Sequence, residues 1–165
     1  MTVTTDERYM RKALEEARRA FDADEIPVGA VVVCGDQIIA RGHNLTEMLH
    51  DVTAHAEMQA ITSAADYLGG KYLDECTLYV TVEPCPMCAG AILNARIPRV
   101  VYGAADSKAG FCGSVADLFS MNVNHHPQIL GGVREAEASA LLTDFFQQLR
   151  VTLRGRPKWR PTAKE

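Results

Sequence analysis

Two short fragments, His55-Ala56-Glu57 and Pro84-Cys85-Pro86-Met87-Cys88, constrain this chain more than anything else in it. Taken singly, each is weak. A histidine at a helix start is more often a cap or a core residue, and a C-x-x-C pair also serves redox centres and structural zinc knuckles. Together they ask for one geometry. Each fragment sits where the surrounding pattern starts a helix. Cys85 and Cys88, three apart across a first turn, direct both sulfurs at one point. The positive helix end favours thiolate over thiol, and a bound cation favours it further. Neutral His55 supplies a third ligand and leaves a fourth tetrahedral position open. Three protein ligands and one water mark a catalytic rather than a structural Zn²⁺ site. Glu57, two residues beyond His55, is surplus to the ligand set, and a carboxylate beside metal-bound water is a proton carrier. A redox pair would leave His55 and Glu57 unused. A structural zinc site would want a fourth ligand, for which Cys76 and Cys112 are the candidates.

The rest of the composition frames that reading. A chain of 165 residues fits one domain, residues 1–165, with enough length to bury a full core. The opening stretch MTVTTDERYMRKALEEARRA has no apolar segment of the secretory kind, and no apolar run approaches the ~20 residues of a membrane span. A cytoplasmic protein without membrane contact is therefore expected. Five cysteines cannot all pair within the chain, which argues against a disulfide framework. The net charge of −4 excludes a generally basic nucleic-acid binder, but the charge is uneven. Residues 1–149 hold 11 Lys and Arg against 20 Asp and Glu, whereas 150–165 hold six basic residues against Glu165 alone. A basic tail at about 154–165 on an acidic body is either a phosphate-contacting patch or a solubilising terminus.

Periodicity places the motifs on elements. Apolar residues at Tyr9, Met10, Ala13, Leu14, Ala17 and Ala20 predict an amphipathic helix over 6–21. The β-branched run 28–34, a Gly35-Asp36 turn and a return over 37–40 predict a hairpin. A polar loop with Thr53 as a capping candidate leads to a helix over 54–68, stopped at Gly69-Gly70. A buried strand is expected over 77–82 and a helix over 86–95, with Pro86 at its first position, where a missing N–H costs nothing. Another strand follows over 99–102, then a glycine-rich loop, a short helix and loop within 115–127, an edge strand over 128–131 and a long helix over 135–153. Helices alternating with strands after an opening hairpin give the α/β class: a three-layer α/β/α sandwich with a central mixed sheet.

H-x-E followed by P-C-x-x-C is the signature of the zinc-dependent nucleobase deaminases. Over roughly residues 6–150 the chain resembles, more narrowly, the bacterial tRNA-specific adenosine deaminase family (TadA type). The carrying stretches include Ile26-Pro27-Val28-Gly29-Ala30-Val31, Gly42-His43-Asn44 and Thr53-Ala54-His55-Ala56-Glu57. Further along come Thr81-Val82-Glu83-Pro84-Cys85-Pro86-Met87-Cys88-Ala89-Gly90-Ala91 and Arg99-Val100-Val101-Tyr102-Gly103-Ala104. The Asp106-x-Lys108-x-Gly110 loop and the terminal Asp144-Phe145-Phe146 point to the tRNA branch.

The resemblance implies a cytidine deaminase-like fold, one Zn²⁺ per chain on His55, Cys85 and Cys88, and Glu57 as catalytic acid and base. It implies that Asn44 hydrogen-bonds the purine edge, that the Ala56 N–H faces the reacting carbon, and that Val28 packs on the flipped base. Asp106 would lie near the ribose, and Phe145 and Phe146 near a neighbouring nucleotide or the site wall. The implied substrate is the wobble adenosine of a tRNA anticodon stem-loop, converted hydrolytically to inosine by a homodimer. Val52 departs from the family's usual proline, Ala105 from a commonly basic residue, and 120–127 from its pattern around Asn124-His125. Two other readings stand beside this one. A free-base or nucleoside deaminase acting on guanine or cytosine would not need the Asp106 loop, the phenylalanine pair or the basic tail. A non-catalytic, zinc-stabilised RNA-binding module would not need Glu57 beside an open metal position.

Overall fold

The computed structural model describes residues 2–154. The first helix, α1 (Thr5–Asp22), opens on a reciprocal capping box between Thr4 and Glu7. Its apolar stripe, Tyr9, Met10, Ala13, Leu14, Ala17 and Ala20, is buried, as the spacing predicts. There follow β1 (Gly29–Cys34), β2 (Gln37–His43), α2 (Ala56–Leu68), β3 (Cys76–Val82), α3 (Pro86–Ala95), β4 (Arg99–Ala104), β5 (Gln128–Leu130) and α4 (Glu135–Leu153). A 3₁₀ turn, Leu118–Ser120, lies in the stretch that the pattern leaves to a short helix and loop.

The sheet order is β2-β1-β3-β4-β5. β1 runs antiparallel to both β2 and β3, while β3, β4 and β5 are parallel. The sheet is therefore mixed, with the expected helical layer on each face. Between α1 with α4 and the sheet lie Val31, Val33, Tyr79 and Val101. On the other face Ala30, Val32, Leu78, Val80 and Val100 pack with Ala56, Ala60 and Ala64 of α2 and Ala89 and Ile92 of α3. β1 is covered on both faces, which is why its sequence is an unbroken apolar run rather than an alternation.

β2 extends to His43, three residues past its expected end. Arg41-Gly42-His43 carries little strand propensity, and its pairing with Gly29, Ala30 and Val31 supplies the strand instead. Gly42 also lets α2 approach. A Cβ there would lie 2.6 Å from Ala56 O and 2.8 Å from Ala60 N, so only glycine allows α2 to lie this close to β2. Both α2 and α3 begin at the carboxyl end of β3. In parallel α/β sheets, clefts form at that end.

Candidate metal centre and active site

His55 and Cys85 are the N-cap residues of α2 and α3. Both have the extended backbone of an N-cap, yet neither side chain hydrogen-bonds its helix. An N-cap side chain ordinarily accepts from the first turn; these two instead turn towards each other. Thr53, the capping candidate from sequence, pairs with Asp51 through its N–H and hydroxyl. His55 Nδ1 lies 3.6 Å from Cys85 Sγ and 3.6 Å from Cys88 Sγ, and the three ligand atoms all fall within 4.8 Å of one another. A tetrahedral zinc with bonds of about 2.0 Å to nitrogen and 2.3 Å to sulfur separates such atoms by about 3.5 Å. The donor set and its spacing fit that ion. The Cys88 thiol beside Cys85, with His55 adding to it, holds Cys85 down to about 4, so this pair supplies a thiolate. Cys76 is distant in the sheet, paired with Cys34, and is no part of this cluster.

Beside His55 and Cys85 lies a cavity of about 190 Å³. Its walls include Val28, Asn44, His55, Ala56, Glu57, Cys85 and Asp106, together with Ile26, Val82, Glu83 and Ala109. Glu57 is buried, and burial raises its carboxyl above the ordinary range, a bias that suits a group exchanging protons near neutrality. Ala56 is the first residue of α2, where a helix leaves its N–H without an internal partner. A larger, open depression of about 690 Å³ by Tyr72, Arg96 and His125 contains none of these groups.

Asp106 takes part in two arrangements. It lines the cavity, and its Oδ1 accepts from the N–H groups of Lys108 (3.0 Å) and Ala109 (3.1 Å), capping the turn of its own loop. The two phenylalanines lie outside the cavity. Phe145 is buried edge-on against Phe21 at 5.9 Å between centroids, whereas Phe146 is half-exposed. Both line an adjacent groove with Ile26, Glu47 and Met48, and Ile26 borders both spaces.

Beside the cavity residues lie two buried carboxylates that were not singled out from sequence. Glu25 accepts from Asn44 Nδ2 and from the N–H groups of Glu47 and Met48. Glu83 accepts from the N–H groups of Asp106, Cys112 and Ser114 and from the Ser114 hydroxyl. Burial would raise Glu83, but these donors outweigh it and hold the carboxyl below its ordinary range. A Cβ on Gly110 would overlap that carboxylate, so the loop closes over Glu83 only with glycine there. The legible signal for both acids was their place, directly before Ile26-Pro27 and Pro84-Cys85, the segments that lead into the cavity wall.

The fold and the paired helix starts define a deaminase. The model of the MafB19-like deaminase family matches residues 4–150, nearly all of the described chain. The chain is 46% identical to the tRNA-specific adenosine deaminase of Bacillus subtilis (strain 168), over 90% of this chain and 92% of that one. It belongs to the tRNA-specific adenosine deaminase family. A solved structure from work on A-to-I editing by tRNA:A34 deaminases at the wobble position superposes with a TM-score of 0.80. That pair is 46% identical and covers 82% of this chain and 99% of the other. A guanine deaminase structure from Bacillus subtilis is more remote, at 33% identity and a TM-score of 0.59, covering 94% of this chain and 97% of that one.

Proposed function

We infer that this protein hydrolyses adenosine to inosine at the wobble position of a tRNA anticodon, using one Zn²⁺ per chain. The carrying observation is the convergence of His55, Cys85 and Cys88 beside buried Glu57, in a chain 46% identical to a tRNA-specific adenosine deaminase along almost its whole length. His55 Nδ1 and the two sulfurs would hold the ion. Zinc bound there supplies Lewis acidity, which brings the pKa of a water molecule towards ~7. Glu57 takes a proton from the attacking water and delivers it to ring N1 as carbon 6 is attacked. It then takes the proton of the new hydroxyl on carbon 6 and passes it to the amine, so the C–N bond breaks, ammonia leaves and the carbonyl of inosine remains. Val28 and Ile26 wall the base, Asn44 fixes it, and the Ala56 N–H faces the reacting carbon. A cavity of about 190 Å³ holds one base and not a duplex. The substrate nucleotide must therefore leave its stack, which suits an unpaired anticodon loop.

Asp106 serves the ribose side of the cavity, and Phe146, with its exposed face, serves the neighbouring nucleotide. Phe145 supports it from beneath. The protein acts in the cytoplasm as a homodimer of one-domain chains, and the anticodon stem-loop is the portion of tRNA it grips. Among the described residues no helix is long and apolar enough to cross a membrane.

The test is incubation with total tRNA followed by sequencing, with Glu57→Ala as control. An adenosine-to-inosine change at wobble positions, absent in the control, is the expected result. Ammonia release from free guanine instead would favour the free-base reading. Salt-dependent tRNA binding with no base change would favour a non-catalytic binding module.

A further inference from the structure

Glu25 lies midway along the α1–β1 connection, next to the cavity wall residue Ile26, and is 1% exposed. Its two oxygens take four donors from one loop. Oε1 accepts from the Met48 N–H at 2.7 Å. Oε2 accepts from the Glu47 N–H at 3.1 Å, from Asn44 Nδ2 at 3.1 Å and, at 3.5 Å, from the Thr46 hydroxyl. Four donors fill the roughly four lone-pair sites of a carboxylate, and one of them is a cavity residue, Asn44.

The chemistry of the donors settles the orientation of Asn44. A backbone N–H can only donate, so Glu25 presents acceptors to this loop, and the end of the Asn44 amide that faces it must be NH₂. The second hydrogen of that NH₂ goes to Thr46 Oγ1 at 3.0 Å. Both donor positions are then committed. Among the described residues nothing donates to Asn44 Oδ1, nor is that oxygen one of the buried atoms left without a partner, so it keeps its access to the cavity.

We propose that Glu25 is a positioning residue that locks the polarity of Asn44, so that the site meets its nucleoside at this point with a hydrogen-bond acceptor. The complementary group on the substrate is a donor, either a ribose hydroxyl or the C6 amine, which carries the only N–H of an adenine base. Neither the Asn44 position nor its type alone dictates this, because an amide flipped by 180° would offer a donor instead. The assignment rests on the adenosine deaminase reading above and adds the sign of one contact to it.

The test uses zinc-loaded full-length protein and an anticodon-loop RNA hairpin, with and without a 2′-hydroxyl on the target nucleotide. In Glu25→Gln the new side-chain NH₂ takes the place of an acceptor opposite Asn44, so the Asn44 amide flips and turns its own NH₂ to the cavity. The expected result is unchanged zinc content, a melting temperature lowered by the backbone N–H that the glutamine NH₂ leaves without its acceptor, and kcat/KM lower by roughly tenfold to a hundredfold, the scale of a misplaced contact near the chemistry. The double variant Glu25→Gln/Asn44→Asp should regain most of that loss. The carboxylate it introduces offers one oxygen to the glutamine NH₂ and the other to the cavity. Loss of the ribose-over-deoxyribose preference in Glu25→Gln identifies the donor as the hydroxyl. An unchanged preference with the same loss identifies it as a base N–H. Full activity in Glu25→Gln, or a double variant no better than Glu25→Gln, overturns the proposal. Wild-type protein inert on adenosine would overturn the functional reading instead. In that case hairpin binding by the three proteins still reads the positioning role.

Discussion

At the scale of single residues, the proposed function separates groups that would hold an ion from a group that would move protons. His55 and Cys85 give up the usual N-cap bond and stand within reach of each other, while Glu57 is buried beside them, meets the Cys88 thiol, and is not one of the three ligand atoms that converge. Removal of a ligand and removal of the carboxylate should therefore fail differently. Cys85→Ala is expected to lose zinc and to lower the melting temperature, because metal binding is coupled to folding. Glu57→Ala is expected to keep zinc and fold while losing about 10²–10⁴-fold in turnover, the usual weight of a general acid and base. Elemental analysis beside single-turnover kinetics checks both. Full zinc in Cys85→Ala, or activity within about tenfold in Glu57→Ala, would reverse the roles.

Elements matter here because the site is assembled from two helix starts, and each helix is held at a definite depth on the sheet. Ala56, Ala60 and Ala64 present a smooth face of α2, and Gly42 presents none at all on β2. Gly42→Ala would push its methyl into the Ala56 carbonyl and the Ala60 N–H, backbone atoms that cannot rotate away. Overpacking of this kind costs about 1–3 kcal/mol, and the displacement reaches His55 at the end of the same helix. The expected outcome is a lower melting temperature together with weaker zinc retention against a chelator. A loss of stability with zinc retention intact would mean that α2 yields without moving its first turn.

For the whole molecule, the ion pair of Asp6 and Arg99 ties α1 to the middle of the sheet. Arg99 donates to both Asp6 oxygens at 2.8 Å, and the Tyr79 hydroxyl donates to Oδ1 at 2.8 Å. The Arg99 guanidinium holds the Asp6 carboxyl below its ordinary value of 3.8. Asp6 then binds a proton less readily when folded than when unfolded, so the stability it contributes is present above about pH 4 and is lost as the pH falls below that. Asp6→Asn should cost about 1–3 kcal/mol at pH 7 and flatten the acid limb of a stability–pH curve. Parallel acid limbs for the two proteins would contradict the pairing. The basic tail bears on association with RNA. Apart from Arg154 it lies outside the described residues, so its contribution is argued from charge alone. Deletion of 154–165 removes five basic residues against Glu165, a net of four positive charges. Affinity for tRNA should fall and its salt slope should flatten; an unchanged slope would make the tail a solubilising end.

What the sequence determined by itself was local. A capping residue, a proline at a first turn, an apolar run or stripe and a pair of thiols three apart act over one or two turns of chain, and so they could be read without the fold. They were enough for the helices, most strand bounds and the fragments that meet at the cavity. The tertiary structure decided what depends on remote partners. Glu25 and Asn44 are 19 residues apart, and Glu83 and Ser114 are 31 apart. Whether an acid is buried turns on N–H donors that only the folded chain brings to it, and no periodicity announces them. The same holds for Phe145 and Phe146. Neighbours on a helix point about 100° apart, and it is Phe21 of α1, packed edge-on, that makes one of them core and leaves the other at the surface.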